Sequence, residues 1–523
     1  MTLLIFNTQG KADMFKKILS FILLLLITVP VTVSCADTGT SNKQTSQADT
    51  ETTEVYQSAE EEDPLIPVIN DYISSLAKGY NFAGETFTYF GTGWQAPSKE
   101  EETGDVMSDA YYFRQREIEE TFELTWHNAF TEGNGDPEFN ATVEMVKQDV
   151  LAGVGAYDAA YGIDMHCQLL LINDALYDVS VFEKLDFDRE WWPDGFEEDY
   201  SIAGAMYFLS GPIVSSFFQD GSSVVFNKQV AEDYGIDGLY DLVKSGEWTF
   251  DKMFEIASAV PENKSGSGVY RYGNPGGITT LVAHGMSLVK FDENGTPYYE
   301  ETLSKELSDI ADRFSKIYSD DTQTVNLKGY VTDRWEKLEE KYGYEDRDDM
   351  FADGRMLFMF TPTDDAADLR RLDVKFGILP VPKGSADQED YVSYAFPESV
   401  CNVFIPKSIK NPAKTDVILE AMAALGYKYF KQVYYDNMLK SRTVYDYESK
   451  DMIDIIFRTK KYDLVSILDK GANMNTAGIM TNLFNFSVTE SSESLASRHF
   501  INSKIANSNI KTILKNIEAG QKR

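Results

Sequence analysis

Thr86-Phe87-Thr88-Tyr89-Phe90-Gly91-Thr92-Gly93 is the stretch from which the fold is read. Thr86 to Tyr89 alternate polar and aromatic with the period of a strand, and the run stops at Gly91-Thr92-Gly93. A helix is expected from Asp109 to Thr121, and Phe122-Glu123-Leu124-Thr125-Trp126 reads as a second strand. Val143, Val146 and Val150 recur at helical spacing until Gly153 and Gly155 end that helix. Tyr157 to Tyr161 reads as a third strand. The order βαβαβ predicts a mostly parallel sheet with helices on its faces.

Downstream, Val224-Val225-Phe226 is a short apolar strand. Thr249 can cap a helix whose apolar stripe is Phe250, Met253, Phe254 and Ala257. Leu303, Leu307, Ile310, Phe314 and Ile317 mark another helix. Met356 to Phe360 is continuously apolar, as expected of a strand covered on both faces. Val374, Phe376 and Ile378 alternate, Val403-Phe404-Ile405 gives one more strand, and from Thr415 onward the pattern is mainly helical.

Upstream, Lys16-Lys17 precede an apolar run from Ile18 to Val33 that ends at Ser34-Cys35. A basic start, a short apolar core and a small residue before the processing point predict an export signal. Val33-Ser34-Cys35 resembles a bacterial lipobox, with Thr32 where an aliphatic residue is usual, so residues 1–35 are read as a lipoprotein signal with Cys35 lipidated. An ordinary signal peptide is the alternative, and Met14 is a second candidate start. Residues 36–63 carry almost no large apolar side chain and are read as a disordered tether.

The 523 residues exceed one ordinary core, and 43% apolar content can fill two. A formal charge of −36 argues against a nucleic-acid partner. Three cysteines do not make a disulfide framework; Cys167 and Cys401 are read as buried thiols, their pairing left open. His127, His166, His284 and His499 lack metal-ligand spacing, no phosphate-cradling loop or nucleophile elbow occurs, and no cofactor or metal is expected.

Four segments, taken in order, resemble extracellular solute-binding protein family 1, the maltodextrin-binding type of ABC-importer receptor. They are Val224 to Lys228, Tyr240 to Thr249, Phe351 to Phe358 with Phe376 to Lys383, and Glu420 to Tyr435 with Asp446 to Ser449. The resemblance implies an α/β, two-lobed periplasmic-binding-protein-like fold of type II, with a hinge between two α/β lobes and a helical C-terminal region. It places 64–222 and 355–400 in the first lobe, and 223–354 and 401–523 in the second. It implies a monomeric extracytoplasmic receptor, not an enzyme, that captures a small solute in the cleft, a sugar first among candidates, and delivers it to an ABC permease.

Such a cleft holds sugar with aromatic faces and with polar groups near strand C-terminal ends. Trp94 follows the first strand and reads as a ligand contact or a loop anchor. Tyr161 and Asp164 follow the third strand, where the family places ligand contacts. Asn274, Thr361, Asp364, Tyr391 and Tyr394 are the other ligand candidates. Trp191-Trp192 suits either a sugar or packing near the hinge, while Trp248 reads as structural. A sensory or adhesion lipoprotein on the same fold is the main alternative function. A secreted glycoside hydrolase is another, although no motif singles out a carboxylate pair.

Overall fold

The computed structural model describes residues 63–92, 102–131, 136–193, 195–273, 277–325, 334–395, 401–434, 447–461, 464, 468 and 492–521. The export signal with Cys35, the tether up to residue 62, Trp94 and Asn274 lie outside the described residues. The described chain opens with α1 (Leu65–Ala77), β1 (Thr86–Thr92), α2 (Val106–Phe122), β2 (Thr125–Thr131), α3 (Asp136–Ala152), β3 (Ala159–Ile163) and α4 (Asp164–Ile172). Both β2 and β3 pair with β1 in parallel, which is the expected βαβαβ unit.

The second strand starts three residues later than its pattern suggests. Phe122 is buried as the last residue of α2, and Glu123 adopts a left-handed φ of 56° that ends the helix. The alternation beginning at Phe122 therefore belongs partly to a helix end. The third strand is likewise displaced to 159–163, because Tyr157 stacks on Phe90 at 4.2 Å ahead of the ladder.

Further elements include β4 (Phe208–Leu209), β5 (Ser222–Asn227), α5 (Phe250–Ala257), β6 (Tyr270–Gly273), a hairpin of β7 (Lys290–Phe291) and β8 (Pro297–Tyr298), α6 (Lys305–Tyr318) and β9 (Thr324–Val325). Then come α7 (Arg347–Ala352), β10 (Met356–Pro362), α8 (Thr363–Asp368), β11 (Phe376–Pro380), β12 (Ser393–Tyr394) and β13 (Cys401–Phe404). Last are α9 (Pro412–Gly426), α10 (Tyr447–Arg458), β14 (Lys460–Lys461) and α11 (Ser492–Gln521). Thr249 caps α5 as its sequence suggests, its hydroxyl oxygen accepting from the Lys252 amide at 3.2 Å.

Two five-stranded sheets result. One has the order β2-β1-β3-β13-β4 and the other β11-β5-β10-β6-β9. This corrects the division of the chain between lobes. Met356–Pro362 lies between β5 and β6, and Phe376–Pro380 pairs with β5, so 355–380 belongs with the second sheet. Cys401–Phe404 pairs antiparallel with β3 and returns the chain to the first. The apolar runs are strands, as their sequence suggests, but a fully buried strand carries no mark of which sheet it joins.

The helical tail is also divided. α9 packs on α1 and α2 in the first lobe, whereas α10 packs on β11, with the Tyr240 and Ser449 hydroxyls 3.0 Å apart. Gly426, at the end of α9, lies so close to the chain leaving β4 that a Cβ would sit 1.9 Å from the Pro212 carbonyl oxygen.

Two carboxylates one turn apart on α9 organise the segment 183–192. Asp416 accepts from the amides of Glu183, Lys184 and Leu185 at 2.9, 3.0 and 3.3 Å. Glu420 accepts from the indole nitrogens of Trp191 and Trp192 at 3.1 and 3.3 Å. Both tryptophans are buried, so the pair serves packing. Burial pushes the Glu420 carboxyl up to about 8. A carboxyl with its folded pKa above the unfolded value binds more protons in the native state. Stability should therefore fall as pH rises from near 4.5 to about 8. Denaturant titrations should show this loss, at most about 1.4 kcal/mol per pH unit, and Glu420→Gln should flatten it. Equal pH slopes for the two chains would contradict the burial of a protonated carboxyl.

Candidate functional site

The chain passes from one sheet to the other at well-defined edges. The first crossing leaves β4 at Leu209 and enters β5 at Ser222; the second leaves β11 at Pro380 and enters β13 at Cys401. Cys401 stands opposite Ile163 at the C-terminal end of β3, and Ser222 stands opposite Pro362 at the C-terminal end of β10. The C-terminal edges of both sheets thus meet the crossings. In open α/β sheets this is the edge outside which ligands bind.

On the first-lobe edge, α2 and the sheet hold an aromatic group. Tyr161 is buried, with its ring 4.9 Å from that of Tyr89, and it lies over Gly91, where a Cβ would come within 2.2 Å of the ring. A side chain at Gly91 would displace the tyrosine. Asp164 opens α4 and accepts from the Asn402 side-chain amide at 2.6 Å, so its carboxylate is buried and tied to β13. Phe130, one residue from the end of β2, has 52% of its surface exposed.

On the second-lobe edge, Thr361 ends the apolar core of β10 and Asp364 lies in the first turn of α8. The end of β10 and the start of α8 are bound to β5 and the first crossing through Thr361 and Thr363. Ser223 donates to the Thr361 carbonyl at 2.8 Å, while the Thr363 amide and hydroxyl donate to the carbonyls of Gly221 and Gln219 at 2.9 and 2.7 Å. Arg347, from α7, donates to the Asp365 carboxylate and, at 3.3 Å, to the Thr361 hydroxyl. Asp364 is exposed to solvent. Desolvation and the neighbouring Asp365 push its carboxyl up to about 6. Desolvation raises Asp348 to about 6 against the pull of Arg347.

Beside the point where the first crossing enters β5, β12 and β14 form a two-stranded parallel ribbon. Ser393 donates to the Ser222 carbonyl at 2.9 Å, and the Tyr394 amide donates to the Ser222 hydroxyl oxygen at 2.7 Å. Lys460 donates to the Phe217 carbonyl with its ammonium over the rings of Phe457 and Phe217. Burial lowers the pKa of this lysine, opposed by Asp220 and Asp364. Tyr394 is therefore a buried hinge residue. Tyr391 lies elsewhere, donating to the Val243 carbonyl at 3.0 Å within the second lobe. Trp248 is fully buried and donates to the Pro380 carbonyl at 2.9 Å.

This two-sheet arrangement has counterparts among known structures. No protein-family model and no curated protein sequence matches the chain. Among solved structures, a sugar transporter from Rhizobium etli in an open conformation has a TM-score of 0.53 at 11% identity, over 80% of this chain and 99% of that one. Apo RafE from Streptococcus pneumoniae has a TM-score of 0.51 at 14% identity, over 82% and 99%. A cyclo/maltodextrin-binding protein complexed with maltotetraose has 0.50 at 11%, over 83% and 97%. The fold is that of two-lobed solute-binding proteins.

Within this solute-binding fold, Tyr161, Asp164, Thr361 and Asp364 fall at the facing edges, Tyr394 at the hinge and Tyr391 at neither. Phe130, Arg347 and Lys460 were missed. Phe130 was hidden by the early placement of β2, and Arg347 by its setting in Glu345-Asp346-Arg347-Asp348-Asp349, which reads as solvated surface. Among the described residues, no cluster of three or more His, Cys, Asp or Glu is placed to hold a metal ion, and no helix is long and apolar enough to cross a membrane. Cys167 and Cys401 are buried thiols not joined in a disulfide, and burial pushes the Cys401 thiol up to about 12.

Arg347 is the cation that offsets Asp348 and Asp365. Arg347→Met should therefore destabilise the fold at neutral pH by about 1–2 kcal/mol and by less near pH 5, where Asp348 and Asp364 take up protons. Melting curves at the two pH values test this; an equal loss at both would mean that the carboxylates do not repel one another.

Proposed function

We propose that the chain is an extracytoplasmic receptor that takes a small neutral carbohydrate between its lobes and hands it, unaltered, to an ABC permease. The observation that carries this reading is the meeting of both sheets' C-terminal edges at the crossings. A ligand there touches both lobes only when they approach, so binding favours the closed form. Phe130 offers an exposed ring for the apolar face of a sugar and Asp364 an exposed carboxyl on the other lobe, while Asp164 and Thr361, assigned to the same site, lie buried behind the two edges. Trp94 and Asn274 follow β1 and β6 in the chain and are assigned to the same cleft. The second-lobe edge is rich in acceptors, and its guanidinium is already engaged by Asp365. Such an edge suits hydroxyl donors better than an anionic ligand.

Lipidation at Cys35 would hold the receptor at the outer face of the membrane, with residues 36–63 as tether. Two acyl chains are needed for stable anchoring, and the tether then keeps the receptor at raised effective concentration near its permease.

A thermal-shift screen of the purified chain against neutral oligosaccharides tests the assignment. A ligand at 100 times its Kd should add about 2.7 kcal/mol of stability. Phe130→Ala should weaken the best ligand roughly 5–30-fold, the loss of one stacked ring. Stabilisation by uronates or sugar phosphates in place of neutral sugars would refute the charge argument, and turnover of any hit would make the protein an enzyme.

A further inference from the structure

α11 is a 30-residue helix that touches both lobes. Its buried residues Leu495, His499, Ser503, Ala506, Ile510, Ile513 and Ile517 recur every three or four positions. One face is thus covered along nearly the whole helix, about 33 Å from Leu495 to Ile517 at 1.5 Å per residue. Among its polar contacts, two side-chain amides bind the backbone of different lobes. Asn507 binds the second lobe as a strand would, its carbonyl oxygen accepting from the Tyr299 amide and its amide donating to the Tyr299 carbonyl, both at 2.8 Å. Nine positions on, Asn516 donates to the Ile172 carbonyl at the end of α4, in the first lobe, at 2.5 Å. The β7–β8 hairpin, which adjoins Tyr299, also reaches the first lobe: the Ala203 amide donates to the Gly295 carbonyl at 3.1 Å.

We propose that α11 is a strap fastened to both lobes that limits how far they part. A straight helix cannot follow two bodies that rotate apart, so one fastening must release when the cleft opens. The single bond of Asn516 is the weaker end, and the paired bonds of Asn507 keep the helix with the second lobe. The strap is independent of ligand identity but rests on the lobes moving about the crossings.

Glu144 on α3 and Glu255 on α5 are exposed positions in different lobes. Spin labels on Glu144→Cys and Glu255→Cys, in the full chain carrying Cys35→Ser, report the interlobe distance by double electron–electron resonance. The wild-type background should give a narrow distribution. Asn516→Ala and Asn507→Ala should each broaden it and shift it toward longer distances, because a strap needs both ends. Ser222→Ala loosens the crossings and is the control for hinge motion. If it broadens the distribution while both asparagine variants leave it unchanged, the strap is refuted and the hinge survives. If none of the three broadens it, the moving hinge fails and the strap with it. A lower melting point for the asparagine variants with unchanged distances assigns α11 a packing role only and refutes the strap.

Discussion

The backbone of each crossing must find hydrogen-bond partners in the space between two cores, and the rest of the molecule depends on how it does so. A chain leaving a sheet loses its ladder, and a buried amide or carbonyl without a partner costs free energy comparable to a lost hydrogen bond. Here the crossings satisfy one another. Ser222 bonds the β12 segment through both its carbonyl and its hydroxyl, Ser216 accepts from the Cys401 amide at 2.9 Å, and the Lys460 ammonium reaches the Phe217 carbonyl. Small hydroxyl side chains fit where larger ones would force the crossings apart. The same bonds reach Thr361 and Thr363, so the second-lobe edge and the hinge form one polar structure.

Buried acids are handled differently in the core of the first lobe. Asp416 and Glu420 sit among apolar neighbours where an ionised carboxylate loses its hydration. Asp416 recovers much of this through three backbone amides that share one carboxylate. Glu420 receives two indole N–H groups and the Asp186 amide at 3.3 Å, longer bonds that compensate less. Desolvation still raises both carboxyls, Glu420 to about 8. The payload of this arrangement is order in the 183–192 segment, which has little regular structure of its own beyond what α9 imposes. Two conspicuous tryptophans are consumed by it rather than presented to a ligand.

Local order was legible in the sequence, and long-range order was not. The period of Thr86 to Tyr89, the stripe of α5 and the apolar run of β10 each follow from residues within one element. The cap at Thr249 could be read for the same reason. By contrast, whether Met356–Pro362 joins the first or the second sheet is decided by Ser223 and Tyr270, more than 80 positions away, and nothing in the strand itself encodes them. Tyr161 and Tyr391 look alike as candidates. One is held above Gly91 at a facing edge and the other is turned toward Val243, a difference set by register and not by residue type. Phe130 escaped notice because a helix end and the turn after it resemble the start of a strand. Since side chains alternate along a strand, a small error in its start changes which rings reach the edge.

The distribution of hydrogen bonds also explains why motion between the lobes should be rotation and not local unfolding. β1 and β2 share seven paired positions, and β5 and β10 share five, so each sheet resists bending. The ribbon of β12 and β14, which meets the first crossing at Ser222, has two. The bonds around it run largely through serine hydroxyls, which can turn about one torsion while keeping a partner. Strain applied across the molecule therefore concentrates at the crossings, where few ladder bonds oppose it, and leaves the facing edges intact as rigid jaws. In the proposed receptor, a cleft built this way would keep its chemistry while changing its width, the physical requirement for holding a solute and then releasing it.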